Sequence, residues 1–307
     1  MPDTDQRPSS TPSRLRRTAR HYLFGALMGS ADIVPGVSGG TVALILGIYA
    51  RLIDSVGHGA AAIGRGGRFD LAAARAHLRA VDWGLVLPLL AGILSAVVLG
   101  SAIIPDLIDE YPVQMRSLFF GLIAASIVIP WRRIDERGPG TFVALLLAAA
   151  VAFLFTGLPD SVIETPALWQ VFGAASVAIC AMILPGVSGA FLLVVLGMYE
   201  ATLDAVHDRD VVYLIVFVAG AVTGLALFST VLRWLLEQRH DLTMAILVGL
   251  MAGSLRALWP FQADDRSLSA PSEGDPLLVA AALAVVGFVV ILVLARLGDG
   301  AEHRDPA

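Results

Sequence analysis

The chain has 307 residues, of which 57% are hydrophobic and only 15% charged, with a mean hydropathy of +0.77. That is more apolar surface than a soluble core of this size can hide, which excludes a water-soluble globular protein and places the chain in a bilayer. The net charge of -5 says less than its distribution, because every basic residue is Arg and the arginines gather in a few loops, while the lone Cys180 rules out a disulfide framework or a thiolate metal site.

The first residues, 1–20, are rich in Pro, Ser, Thr and Arg and predict a disordered basic tail without the cleavage site of a signal peptide. Two apolar segments follow, Tyr22 to Ile33 and Thr41 to Ile53, each too short for a hydrocarbon core that needs about 20 helical residues. They meet at Val34-Pro35-Gly36-Val37-Ser38-Gly39-Gly40, where a helix-breaking Pro, three Gly and a hydroxyl interrupt the apolar run. An Arg- and Gly-rich linker over 57–82 leads to three full-length spans, 84–104, 115–131 and 141–157.

The pattern then restarts. A second broken segment, 168–203, is interrupted by Leu184-Pro185-Gly186-Val187-Ser188-Gly189-Ala190, and spans 211–236, 242–259 and 277–297 follow before a short tail, 298–307. The flanks match too: Leu46-Gly47-Ile48-Tyr49 against Leu196-Gly197-Met198-Tyr199, Asp54 against Asp204, Gly121 against Gly249 and Trp131 against Trp259. Two copies in register with matched flanks are an internal duplication, with repeat 1 over 21–157 and repeat 2 over 168–297.

Arg placement decides whether the broken segments cross the membrane or turn back. If 22–53 crossed, the tail (Arg14, Arg16, Arg17, Arg20) and the linker (Arg65, Arg68, Arg75, Arg79) would lie on opposite sides; if it is re-entrant, both are cytoplasmic. The second alternative puts Asp106, Asp109, Glu110, Asp160, Glu164, Asp264, Asp265 and Glu273 outside and 17 of 21 Arg inside or at that edge, with Arg116, Arg209 and Arg266 outside and Arg256 within a span. Each repeat then crosses an odd number of times. The expected fold is an all-α polytopic membrane protein of two inverted repeats, each a re-entrant broken-helix hairpin with a PGVSG tip plus three transmembrane helices, and both termini are cytoplasmic.

Backbone breaks in hydrocarbon are tolerated only inside protein or against a wet cavity, so the two tips are expected to meet near the membrane centre. Free amides at Gly36 to Gly40 and Gly186 to Ala190 would form anion-binding nests there, with hydroxyls from Ser38, Thr41 and Ser188. The expected phosphate-binding set is Gly36, Ser38, Gly39, Gly40, Thr41, Gly186, Ser188, Gly189 and Arg256, the last for its planar fork. Asp32, directly before the first tip, is a candidate proton carrier because an ionised carboxylate within the bilayer is costly, and Glu200 is a second acidic candidate for coupling to protons or another ion. Trp131, Trp169, Trp234 and Trp259 sit at span ends as interfacial anchors.

The stretches Ala31 to Thr41, Leu184 to Gly189 with Gly197-Met198-Tyr199-Glu200, and Gly253 to Pro260 resemble the PopT-type polyprenyl-phosphate translocases. The resemblance runs over about 20–297 and implies a bacterial plasma-membrane protein that returns undecaprenyl phosphate from the outer to the inner leaflet for reuse in cell-envelope synthesis. Ala50 departs from it, standing where the first copy often carries Glu, which Glu200 keeps in the second. Two other readings remain at this stage. One is a secondary transporter of a small soluble anion. The other is an intramembrane enzyme, disfavoured because His21, His58, His77, His207, His240 and His303 all fall at segment ends or in loops, away from either Ser. No metal, cofactor or nucleic acid is expected as a partner.

Overall fold

The computed structural model describes residues 14–33, 38–66, 70–100, 103, 107, 110–263 and 266–302. Outside this range lie part of the expected tail (1–13), the first tip including Gly36, Arg68, Asp106, Asp109, Asp264, Asp265 and the last residues (303–307). The described residues form helices and carry no β-strand, as an all-α membrane protein requires.

Helix α1 (Arg14–Asp32) begins inside the stretch expected to be disordered, so the tail's last residues are its first turns. It stops short of Pro35, a residue type that disfavours helical geometry at the position before it. The same chemistry is explicit in the second copy: helix α9 (Leu168–Ile183) ends where Leu184, directly before Pro185, is extended at φ -73 and ψ 125. Beyond the breaks, Ser38 and Ser188 cap two short helices, α2 (Gly39–Ile45) and α10 (Gly189–Val195), by accepting hydrogen bonds from Gly40 N and Phe191 N.

Each copy breaks again. Gly47 and Gly197 take left-handed φ of 72 and 74, and Ile48 N donates to Ala43 O as Met198 N does to Leu193 O. This left-handed cap closes both short helices. It turns the chain into α3 (Tyr49–Gly66) and α11 (Tyr199–His207), the axis of the second pair bending by 106°. The first segment therefore does not end near Ile53. Helix continues into the expected linker as far as Gly66, and a separate helix, α4 (Leu71–Ala80), follows.

The remaining helices are α5 (Trp83–Gly100), α6 (Pro112–Ser126) running into α7 (Val128–Arg132), α8 (Pro139–Phe155), α12 (Val211–Gln238), α13 (His240–Ser254) with a 3-10 turn at Leu255–Leu258, and α14 (Leu277–Glu302). Trp83–Gly100, Pro112–Arg132, Val211–Gln238 and His240–Leu258 are long and apolar enough to cross a bilayer, and Pro139–Phe155, Leu168–Ile183 and Leu277–Val293 are shorter apolar helices.

The helices pair in a repeating pattern. Helix α1 lies along α5 and α9 along α12, while α8 of the first copy lies along α13 and α14 of the second along α6. Even the close approaches correspond: a methyl at Gly92 would sit 2.0 Å from Tyr22 O, and one at Gly220 would sit 2.3 Å from Phe172 O. Glycine seams of this kind let transmembrane backbones touch, where lipid offers no hydrophobic drive to bring them together. The main buried cluster draws Met28, Leu44, Ile48, Tyr49 and Leu89 from the first copy and Leu232, Leu247 and Met251 from the second, so the core lies where the two halves join.

Candidate functional site

The two breaks are hydrogen-bonded to each other. The last carbonyls of α9 have no intrahelical donors. Ser38 Oγ supplies one to Met182 O at 3.1 Å, with Leu184 O at 3.4 Å, and Tyr49 Oη another to Ile183 O at 3.2 Å. In the other direction Gly186 N donates to Thr41 Oγ1 at 3.0 Å. Ser38, Thr41 and Ser188 are buried, as are Gly39, Gly40 and Gly189.

Glycine is required at two of these positions. Gly186 has φ +83, and a methyl there would lie 2.7 Å from Met251 Cα on α13, so the second break is pressed against a span as well as turned left-handed. A methyl at Gly40 would lie 2.4 Å from Ile183 O, so the start of α2 leans directly on the end of α9.

These contacts alter one expectation. Three of the amides expected to be free for an anion are used within the protein: Gly39 N by Asp32 Oδ1 at 2.6 Å, Gly40 N by Ser38 Oγ at 3.1 Å and Gly186 N by Thr41 Oγ1. The short helices have only 7 residues each, too few for a large end charge. The arrangement is a closed latch, in which side-chain oxygens occupy these three donors.

Space lies on both sides of the second break. A cavity of about 170 Å³ is lined by Asp32, Ala178, Met182, Ser188, Gly189 and Phe217 among others. Another, about 220 Å³ and almost wholly apolar, is lined by Phe155, Thr156, Gly186, Ser188, Phe191 and Ala257 among others. Ser188 borders both. Asp32 thus faces the second copy's tip while holding the first copy's amide. The position matching Asp32 in the second copy is Met182, whose side chain lies over Gly189 as the Asp32 carboxyl lies over Gly39. The duplicated backbone therefore carries one acid, not two.

Two expected residues stand apart. Arg256 lines neither cavity: its Nη1 donates to Phe153 O at 3.3 Å, its guanidinium lies 4.7 Å from the Phe153 ring centroid, and it is fitted over Gly157, where a methyl would collide with its Cζ at 2.1 Å. Its buried Nε has no acceptor among the described residues, and its neighbour Ala257 borders the apolar cavity. Glu200 is exposed in the first turn of α11, away from the latch.

Sequence reasoning missed Tyr49, Met182 and Arg266. The duplication itself could have found the first two, since Tyr49 ends a matched flank and Met182 answers Asp32 at the same offset as the two PGVSG runs. Arg266 donates to Leu158 O at 3.2 Å, pairs with Asp160 at 2.5 Å and lies 4.7 Å from the Phe191 ring centroid, so two arginines of the second copy hold the end of α8. No local pattern signals that contact.

Over residues 28–274 the chain matches the VCA0040-like, undecaprenyl phosphate translocase-like family. It is 37% identical over 242 residues to a polyprenyl-phosphate transporter of Vibrio cholerae, covering 78% of this chain and 77% of the relative. A polyprenyl-phosphate transporter of Staphylococcus aureus is 25% identical over 294 residues, 90% of this chain and 96% of the relative. No solved structure matches the chain. The relatives are named as transporters, in keeping with a multi-pass membrane protein whose expected role is transport and not catalysis. A family match across most of the chain, together with a relative above 30% identity, makes this protein a member of the undecaprenyl phosphate translocase-like family.

Proposed function

We propose that the protein moves a polyprenyl phosphate, in the first instance undecaprenyl phosphate, from the outer to the inner leaflet of the bacterial plasma membrane. The relatives' names support the substrate class. The observation that carries the mechanism is the latch between the two breaks, with Asp32 and Ser188 on the wall of one cavity. In this reading the two copies are inverted repeats with both termini cytoplasmic, and rocking one against the other exposes the latch to each leaflet in turn.

The phosphate takes over bonds that the protein now makes to itself. Its oxygens replace Asp32 at Gly39 N, Ser38 at Gly40 N and Thr41 at Gly186 N, while the released hydroxyls of Ser38, Thr41 and Ser188 turn toward it. Gly36 and Gly189 contribute approach space and amides. The first isoprene units lie along the apolar cavity, and Arg256, whose neighbour Ala257 borders that cavity and whose Nε–H has no acceptor among the described residues, meets the headgroup on its way in.

Asp32 couples the step to protons. An ionised carboxylate about 4 Å from a phosphate charge is opposed by about 4 kcal/mol at an effective dielectric of 20. Protonation removes that opposition and weakens the carboxyl's hold on Gly39 N, since a charged acceptor is the stronger one, so proton and phosphate each favour the other's binding. Glu200 is left as an outer-rim acid.

The test is reconstitution in liposomes with labelled undecaprenyl phosphate. Protein-dependent transfer between leaflets is expected; a folded preparation that moves inorganic phosphate but not the lipid would replace this reading with a soluble-anion carrier.

A further inference from the structure

We infer that α4 is an interfacial helix that binds anionic lipid headgroups through Arg75 and Arg79. The inference does not depend on the latch or on the substrate. It needs only that α5 enters the bilayer at Trp83, three residues after α4 ends.

The helix is amphipathic in an unusual sense. Its inner face is small and settled: Ala74 is buried, and His77 Nδ1 meets His58 Nδ1 of α3 at 3.2 Å. Its outer face carries Leu71, 64% exposed, and Leu78, 42% exposed, beside the exposed Arg75 and Arg79. At 100° per residue these four side chains fall within an arc of about 100°. Neither arginine has an acidic partner among the described residues.

Solvent is a poor neighbour for two leucines, and a protein core is a poor one for two unpaired guanidiniums. The boundary of an anionic leaflet suits both, taking leucine to the depth of the upper acyl carbons and arginine to the phosphates. The position of the helix makes that boundary available. Asp70 caps its start by accepting from Ala73 N at 3.1 Å, and the half-exposed Trp83 ties its last turn to the mouth of α5 by donating Nε1–H to Leu78 O at 2.8 Å. Trp at a span entrance marks the headgroup level, so α4 is held at the depth where its outer face would meet lipid phosphate.

The experiment uses the full chain with Cys180→Ser, a single cysteine at Leu78 or at Ala80, and an environment-sensitive fluorophore, in nanodiscs of phosphatidylcholine alone or mixed with phosphatidylglycerol. Ala80 is exposed on the far side of the helix and serves as the reference. The label at 78 should be blue-shifted and quenched by headgroup-region spin-labelled lipid in the anionic nanodiscs, and the label at 80 should not. Arg75→Gln with Arg79→Gln should cut the docked-to-undocked ratio by roughly ten- to thirtyfold, the effect of two basic residues near an anionic surface. If that variant does not fold, high salt should produce the same loss with both arginines present. A label at 78 open to aqueous quencher in both lipid compositions, or docking indifferent to salt, would overturn the inference.

Discussion

Asp32 and Gly186 carry the sharpest consequences at the scale of single residues. Asn in place of Asp32 keeps an oxygen for Gly39 N but cannot take up a proton. Asp32→Asn should therefore fold normally and still bind lipid, while the rate of flipping loses its response to an imposed pH gradient; a retained response in liposomes would remove Asp32 from the coupling. Gly186→Ala meets two penalties, the left-handed φ of +83 and a backbone atom of α13 at 2.7 Å. Gly274, at φ +106 with nothing within 4 Å, meets only the first. Thermal unfolding in detergent should show Gly274→Ala costing about 1 to 2 kcal/mol, and Gly186→Ala should cost clearly more and also slow flipping. Equal losses would mean that the contact between the second break and α13 does not matter.

At the scale of elements, the junctions between helices are held by a few polar contacts. Asp82 caps α5 through Leu85 N at 3.1 Å and pairs with Arg51 of α3 at 2.5 Å. Burial pushes the Asp82 carboxyl up, but the hydrogen bond and charge of Arg51 outweigh it and hold it below its ordinary value. A carboxyl depressed in the folded state stabilises above its unfolded value, about 3.9, and loses that contribution as pH falls through the folded value. Both side chains are well exposed, so the pair is worth at most about 1 kcal/mol. Asp82→Asn should lower the melting temperature slightly and by the same amount at pH 7 and pH 5, and the difference should begin to shrink only as pH falls below about 3.9. The second turn of each copy, at Gly47 and Gly197, was present in the sequence as matched Leu-Gly-x-Tyr flanks, but its turn geometry was not legible there, because a Gly after an apolar run also fits an uninterrupted helix.

At the scale of the whole molecule, the paired helices and the shared core make the two copies depend on each other, since α8 of the first leans on α13 of the second and α6 of the first on α14. If the repeats are inverted and the first broken segment returns to its own side, cysteines introduced at Ala72 in α4 and in the N-terminal tail should react with a membrane-impermeant reagent from the same side, and that side should be the cytoplasm. Labelling from opposite faces would make the first segment a crossing helix and end the inverted arrangement. Hydropathy, the two PGVSG runs and their matched flanks established from sequence alone that the chain is helical, membrane-embedded and duplicated, because those properties depend on composition and on local backbone chemistry. The partners of each exposed amide and carbonyl could not be read in the same way. Gly186 with Thr41, α9 with Ser38 and Tyr49, and α8 with Arg256 and Arg266 are long-range pairings fixed only when the two halves close, since a buried polar group takes whichever partner the finished fold brings within about 3 Å.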